Sequence, residues 1–330
     1  MLVVTGAAGF IGANIIGELN ALGEMRVAAV DVAEHAGRYL NALRVDRFVE
    51  RDALPAWLDA HAGEIRALIH MGACSDTTNA DREFMMRNNF EYTRTLWNFC
   101  AERGLRFVYA SSAATYGDGS NGYDDRADPA RLKPLNVYGE SKQRFDLWAL
   151  EQKKTPAGWA GLKFFNVYGP REAHKGRMAS VAFHAYNQIK ASGTVKLFAS
   201  DRPDIPDGGQ KRDFIYVKDV VDAVMHCVQA PAEKIDTLFN VGTGCARTFS
   251  DLAKAVFAAM NLEPKIQYIP MPDDLTGKYQ YFTEAKMEKL RESGFTQAFH
   301  TLEEGVSDYV TILNRGAPFS PLPLGERGRG

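Results

Sequence analysis

Thr5-Gly6-Ala7-Ala8-Gly9-Phe10-Ile11-Gly12 decides how this chain is read. The short apolar run Leu2–Thr5 lies ahead of it. Behind it, Ile11, Ile15, Ile16 and Leu19 recur at helical spacing over residues 10–22. A glycine turn joining a strand to a helix is the context a dinucleotide fingerprint requires. Gly6 permits the tight turn, Gly9 lets a pyrophosphate approach the backbone, and Gly12 lets the helix pack against the strand. The N–H groups at the helix N-terminus then face the phosphates. Asp31 follows Gly12 by 19 residues and ends the next predicted strand. A carboxylate there accepts hydrogen bonds from an adenosine ribose and argues for NAD. Arg38, shortly after, is a candidate partner for the 2′-phosphate of NADP. These residues by themselves leave the choice open.

Outward from the turn, further strands are predicted over 26–31, 67–70, 106–110 and 161–165, and helices over 81–103 and 138–151. Short apolar strands alternating with helices give an α/β fold: a Rossmann-type doubly wound parallel sheet. The texture changes near residue 170. Residues 200–210, rich in Asp, Pro and Gly, read as a loop, and 211–217 as a strand. Asp219 is taken as the N-cap of the helix that follows. The expected division is a dinucleotide-binding domain over 1–169 plus about 211–244, and a smaller α/β substrate lobe over about 170–210 plus 245–314. Residues 315–330, Pro/Gly-rich and without periodicity, are expected to be a disordered tail.

Bulk properties narrow the function. At 330 residues the chain suits a large α/β domain with a second lobe. A net charge of −2 gives no reason to expect nucleic acid or a membrane surface as partner. Cys74, Cys100, Cys227 and Cys245 form no C-x-x-C pair, and the histidines form no ligand set, so no metal is expected. No apolar run reaches membrane-spanning length, and a strand from residue 2 leaves no room for a signal peptide. A cytoplasmic location is the expectation.

Tyr138-Gly139-Glu140-Ser141-Lys142 places a phenol and an ammonium four residues apart, on one face of a helix. Lys142 is expected to lower the phenol pKa and make Tyr138 a general base near neutral pH. Ser111-Ser112 ends a predicted strand, where open α/β sheets bind ligands, so Ser112 is a candidate donor to a reacting oxygen.

Taken together, the glycine turn, Ser111-Ser112 and Tyr138/Lys142 resemble the extended short-chain dehydrogenase/reductase family. Arg212-Asp213-Phe214-Ile215-Tyr216-Val217 and Phe239-Asn240-Val241-Gly242-Thr243-Gly244 match its pattern too. The resemblance implies a nicotinamide cofactor and a nucleotide-diphosphate sugar. Within that family, Gly72-Ala73-Cys74-Ser75, Pro134-Leu135-Asn136-Val137-Tyr138-Gly139 and Phe165-Asn166-Val167-Tyr168-Gly169-Pro170-Arg171-Glu172 look like the ADP-L-glycero-D-manno-heptose 6-epimerases. His174-Lys175-Gly176 and Ala179-Ser180-Val181-Ala182-Phe183-His184 are the most specific of the matched runs. Related dehydratases carry an Asp-Glu pair where this chain has Ala113 and Ala114, which transfer no proton.

The resemblance implies epimerisation of ADP-heptose at C6″ by transient oxidation and re-reduction. It makes Tyr138, Lys175, Lys142 and Ser112 catalytic. It places Gly6, Gly9, Phe10, Ile11, Gly12, Asp31, Val32, Arg38, Arg51, Met71, Gly72, Ala73, Cys74, Ser75, Asn88, Lys142 and Val167 around the cofactor. Met71 stands where the family has glutamate. Substrate contacts would come from Ser112, Asn166, Arg177, His184, Phe198, Ala199, Ser200, Asp201, Arg212 and Tyr279, with Arg177 at a position often occupied by serine. Family members prefer NADP, with NAD as the alternative, and assemble as homopentamers. The implied role is making the heptose donor for the lipopolysaccharide inner core. Competing readings are a UDP-hexose 4-epimerase, which has no need of Lys175, and a non-catalytic NAD(P)-binding regulator, which would be expected to have lost the Tyr/Lys pair.

Overall fold

The computed structural model describes residues 1–272 and 280–316. Seven strands form one parallel sheet: β1 (Leu2–Thr5), β2 (Val27–Asp31), β3 (Arg47–Glu50), β4 (Ala67–His70), β5 (Arg106–Ser112), β6 (Trp159–Phe164) and β10 (Thr237–Val241). Their order across the sheet is β10-β6-β5-β4-β1-β2-β3, so the order reverses at β1. Parallel strands need crossovers, and helices supply them. These are α1 (Phe10–Ala21), α2 (Leu54–His61), α3 (Arg82–Met85), α4 (Tyr92–Arg103) and α5 (Val137–Leu150). Alternate residues of each strand point to opposite faces. Leu2 and Val4 therefore pack with Ile15, Ile16 and Leu19 of α1 and Val220 and Val224 of α7 (Val217–Gln229). Val3 packs on the other face with Leu58, Trp97 and Phe145 from α2, α4 and α5.

A second lobe is built around α6 (Val181–Ser192), α8 (Phe249–Ala259) and α10 (Leu302–Asn314), which share a core with β8 (Val195–Phe198) and β9 (Lys211–Tyr216). Strand β9 lies between β7 (Asn166–Tyr168) and β11 (Ala246–Thr248), while β8 pairs with β12 (Ile266–Ile269). The short α9 (Glu288–Glu292) ends in a turn near Phe295.

The structure corrects several boundaries. The 106–110 strand continues to Ser112, because Ser111 and Ser112 still pair with Lys163 and Phe164 of β6. The helix expected over 81–103 contains a π turn at Met86–Glu91. Asp219 is not an N-cap: α7 begins at Val217, and Asp219 sits in its first turn, accepting from His300 N at 3.0 Å and pairing with its Nδ1 at 2.6 Å. The edge strand β3, half polar, has no strong apolar signature in the sequence. Arg315 caps α10; residues 317–330 of the expected tail lie outside the described residues.

Candidate active site

The glycine turn folds as a close-packed joint. Gly6 has φ of +64°, and a Cβ built on it would lie 2.7 Å from Gly72 N. A Cβ on Gly12 would lie 2.1 Å from Gly6 O, so the first turn of α1 can sit this close to the loop only without a side chain. The N-cap is Gly9, with no side-chain bond to the helix. First-turn N–H groups of α1 have no intrahelical acceptor, and Phe10, Ile11 and Gly12 border a cavity of about 560 Å³.

That cavity runs along the C-terminal ends of β1, β2, β4 and β5. Every residue expected around the cofactor borders it: Gly6, Gly9, Phe10, Ile11, Gly12, Asp31, Val32, Arg38, Arg51, Met71, Gly72, Ala73, Cys74, Ser75, Asn88, Lys142 and Val167. The four expected catalytic residues, Tyr138, Lys175, Lys142 and Ser112, border it as well. A narrow glycine cradle, exposed helix N–H groups and a carboxylate at the end of β2 are the features a dinucleotide needs, so the residues present fit that group.

Asp31 is already engaged. Its Oδ2 accepts from Ala8 N and its Oδ1 from Val32 N, both at 2.8 Å, and His35 Nδ1 lies 3.2 Å from Oδ1. Arg51 donates to Asn88 Oδ1 at 3.1 Å. Met71 ties its backbone N–H to Thr5 O at 3.2 Å. Asn89, absent from the sequence reading, is a buried hub: its Oδ1 accepts from Cys74 N, and its Nδ2 donates to Cys74 O and Ser141 Oγ. The π turn places Asn88 and Asn89 side by side, and no local sequence signal announces it.

Asn136 caps α5, accepting from Gly139 N at 2.8 Å, and Tyr138 and Lys142 follow one turn apart. Lys142 donates from Nζ to Ala110 O at 2.8 Å. Burial pushes its pKa down to about 8, against the opposing charge of Asp146. The Tyr138 phenol is held above its ordinary value, not below it: burial dominates, and a hydrogen bond with Ser112 is what pulls it back. The expected lowering by Lys142 does not appear; that ammonium donates to the Ala110 carbonyl. Ser112 also caps the 3-10 turn Ala113–Tyr116, accepting from Ala114 N at 3.1 Å.

Lys175 comes from the 3-10 segment Ala173–Met178, with its Nζ 5.5 Å from the centre of the Phe10 ring. Burial lowers its pKa, opposed by Glu172. Glu172 was also missed by the sequence reading. It is fully buried and clamps the loop, accepting from Gly169 N at 3.2 Å, Ser180 N at 2.5 Å and Ser180 Oγ at 2.7 Å. His174 hydrogen-bonds Tyr39 at 3.0 Å and borders the same cavity.

The expected substrate residues are more dispersed. His184 on α6 and Phe198 at the end of β8 border a second, largely apolar cavity of about 660 Å³, together with Gln188, Leu197 and Phe249. Arg212 on β9 is buried, with its guanidinium 5.6 Å from the Phe249 ring centre. Ala199 N donates to Ile269 O, Ser200 N donates to Asp207, and Asp201 is exposed. Asn166 is exposed at the start of β7, and Arg177 is exposed and hydrogen-bonds Thr78. Neither borders the two cavities described here. Tyr279 lies outside the described residues. Among the described residues, no cluster of three or more His, Cys, Asp or Glu is arranged to hold a metal, and no helix is long and apolar enough to cross a membrane.

Known proteins share this architecture. A model described as the NAD dependent epimerase/dehydratase family matches residues 2–242. An ADP-L-glycero-D-manno-heptose-6-epimerase of Fusobacterium nucleatum is 50% identical, the match covering 94% of this chain and 97% of that one. A protein of the same name from Nitratidesulfovibrio vulgaris is 51% identical with the same coverage. Among solved structures, the Helicobacter pylori ADP-L-glycero-D-manno-heptose-6-epimerase aligns with a TM-score of 0.77 at 26% identity, covering 95% of this chain and 96% of that one. A Thermus thermophilus UDP-glucose 4-epimerase in complex with NAD aligns at 0.75 with 25% identity, covering 96% and 99%. Matched by this model over most of its length and half identical to these relatives along nearly all of it, the chain belongs to the NAD dependent epimerase/dehydratase family.

Proposed function

We propose that this protein converts ADP-D-glycero-β-D-manno-heptose to ADP-L-glycero-β-D-manno-heptose by inverting C6″. One observation carries the reading: two separate proton-transfer groups, Tyr138 on α5 and Lys175 on the 173–178 segment, border a single cavity, in a chain half identical to relatives of that name. A bound nicotinamide cofactor supplies reversible oxidation at carbon. Tyr138 takes the proton of the C6″ hydroxyl, and Ser112 hydrogen-bonds the same oxygen. Lys142 supplies positive charge beside the phenol. The oxidised sugar then presents its other face. A single fixed group reaches one epimer well and the other poorly, so Lys175 serves as the second acid/base. Its burial beside Phe10 lowers its pKa and brings proton loss nearer neutrality. Ala113 and Ala114 provide no acid or base for eliminating water, which favours epimerisation over dehydration.

The cofactor in this reading is NADP. Asp31 spends its oxygens on Ala8, Val32 and His35, leaving the carboxylate less free to hold a ribose. Arg38, His35 and His174 border the same cavity as Asp31. Burial first, then the charges of Arg38 and Lys175, push the His174 pKa down to about 4. The Arg38 guanidinium is the group there that a 2′-phosphate would pair with. His184, Phe198 and Arg212 hold the substrate nucleotide in this reading, with the other lobe residues around them. Residues 1–169 plus about 211–244 bind cofactor, and about 170–210 plus 245–314 bind sugar nucleotide. The enzyme works as a cytoplasmic homopentamer supplying the heptose donor for the lipopolysaccharide core.

The test is incubation of purified protein with ADP-D-glycero-D-manno-heptose, following C6″ inversion by NMR, with UDP-galactose in parallel. Inversion of the heptose alone supports the reading. Turnover of UDP-galactose alone, or no turnover with NADP and NAD both supplied, overturns it.

A further inference from the structure

Tyr138, Lys142 and Asp146 follow one another at four-residue steps on α5 and so share one face. That face lies against the end of β5, and four consecutive β5 residues are tied to it. Tyr109 donates to Asp146 Oδ1 at 2.9 Å, and Ser111 donates to Oδ2 at 2.7 Å. Ala110, between them, accepts from Lys142 Nζ, and Ser112 hydrogen-bonds Tyr138. Lys163 of β6 completes the set, its Nζ 2.6 Å from Asp146 Oδ2 and 2.8 Å from Thr115 Oγ1. Asp146 is 0% exposed and Lys163 1%.

A buried ammonium is costly unless an anion compensates it. Lys142 is buried, and its hydrogen-bond acceptor is a neutral carbonyl. The titratable groups facing it from other elements are His70 of β4 and Cys74 of the loop after it. Burial holds His70 neutral at this position, with its pKa pushed down to about 3. On its own helix it has Tyr138 and Asp146. Asp146 in turn faces Tyr109, Ser111 and Lys163, and Tyr116 lies against Lys163, its ring centre 5.4 Å from Nζ. The one carboxylate in this set therefore stands between two buried ammoniums.

We propose that Asp146 is a positioning residue of the reaction, a buried counter-ion shared by Lys163 and Lys142 that keeps Lys142 charged beside Tyr138. Lys163 makes the direct contact and locks the carboxylate in place. Lys142, one turn away, takes the benefit through space. The same charge disfavours ionisation of Tyr138, so the service of Asp146 to the reaction runs through Lys142. The inference rests on the epimerase reading for the role of Lys142, but not for its charge.

The experiment measures both. Competitive acetylation of cofactor-free protein, read by peptide mass spectrometry from about pH 6 to pH 10, reports the Lys142 pKa. The alkaline limb of kcat/KM for the heptose substrate reports its use. In Asp146→Asn both midpoints are expected to fall by about one pH unit or more, and in Lys163→Met both rise. If Asp146→Asn does not fold, Asp146→Asn/Lys163→Met, which removes the carboxylate together with its direct ion-pair partner, replaces it. Its Lys142 midpoint is still expected below wild type. An acetylation midpoint unmoved in the Asn variant, or single variants shifted the same way, overturns the proposal and leaves Asp146 a structural partner of Lys163. Absence of heptose turnover in the wild type would instead overturn the epimerase reading, with the acetylation result still standing on its own.

Discussion

Tyr39 and His174 meet through a 3.0 Å hydrogen bond across 135 residues of sequence. Their rings also pack edge to face, with centroids 5.5 Å apart. The contact joins the segment after β2, which carries Arg38, to the segment that carries Lys175. In the proposed mechanism the contact therefore couples the cofactor-side segment of Arg38 to the segment of the second acid/base. Tyr39→Phe removes the bond and keeps the ring. It is expected to weaken NADP binding and lower the turnover rate together, each by roughly tenfold or less, given about 1 kcal/mol for one hydrogen bond. Calorimetry and NMR turnover check the two effects, and a change in one alone argues against the linkage.

Arg38 tests the cofactor. If it pairs with a 2′-phosphate, Arg38→Ala removes a charge-assisted contact worth about 1.5–3 kcal/mol. NADP affinity of the stripped protein should then fall roughly tenfold to a hundredfold, with NAD affinity nearly unchanged. Equal losses for both cofactors would assign Arg38 no part in the choice.

The proposed acid/base roles of Tyr138 and Lys175 call for separate variants. General acid–base catalysis contributes about 10²–10⁴-fold, so Tyr138→Phe and Lys175→Met should each lower heptose inversion by at least about a hundredfold while cofactor content and thermal unfolding stay near wild type. A Lys175→Met protein with wild-type turnover would remove Lys175 from the mechanism and favour a single-base scheme.

Gly12→Ala places a methyl 2.1 Å from Gly6 O. The neighbour is backbone, so α1 must move away from the loop. Overpacking of this kind costs about 1–3 kcal/mol, and the displaced helix N-terminus should lose cofactor. The expected result is a lower Tm and a purified protein without bound nicotinamide. Retention of cofactor at wild-type level would show that the turn adapts.

His70 gives stability a pH dependence. It is 1% exposed, between Thr5 Oγ1 at 2.6 Å and Thr93 Oγ1 at 2.9 Å, and burial pushes its pKa down to about 3. The unfolded imidazole titrates near its ordinary 6.5, so between that value and about 3 the unfolded chain binds the extra proton. Stability is thus full above about pH 6.5 and falls as pH drops through that window. Urea unfolding at about pH 7 and about pH 5 should show the loss, and His70→Asn should flatten it. An equal slope in the variant would place the acid sensitivity elsewhere.

Much of the fold was legible because its signals are local. Apolar runs bounded by glycine and polar residues marked β1, β2, β4, β5 and β6, and the turn chemistry of Gly6, Gly9 and Gly12 placed the cofactor edge. Four-residue spacing put Tyr138 and Lys142 on one helical face. β3 and the π turn at Met86–Glu91 were not legible, since pairing and packing from outside the segment create them.

The sequence by itself determined the parallel α/β architecture, the glycine cradle and the residue types available for proton transfer, because these follow from periodicity and spacing within one element. Only the tertiary structure decided what those residues experience. It brought the Ala8 N–H onto Asp31, turned Lys142 toward Ala110, raised the Tyr138 phenol by burial, and set Lys175 against Phe10. Desolvation and charge act through space, between residues far apart in the chain, and their outcome is fixed only when the elements are packed together.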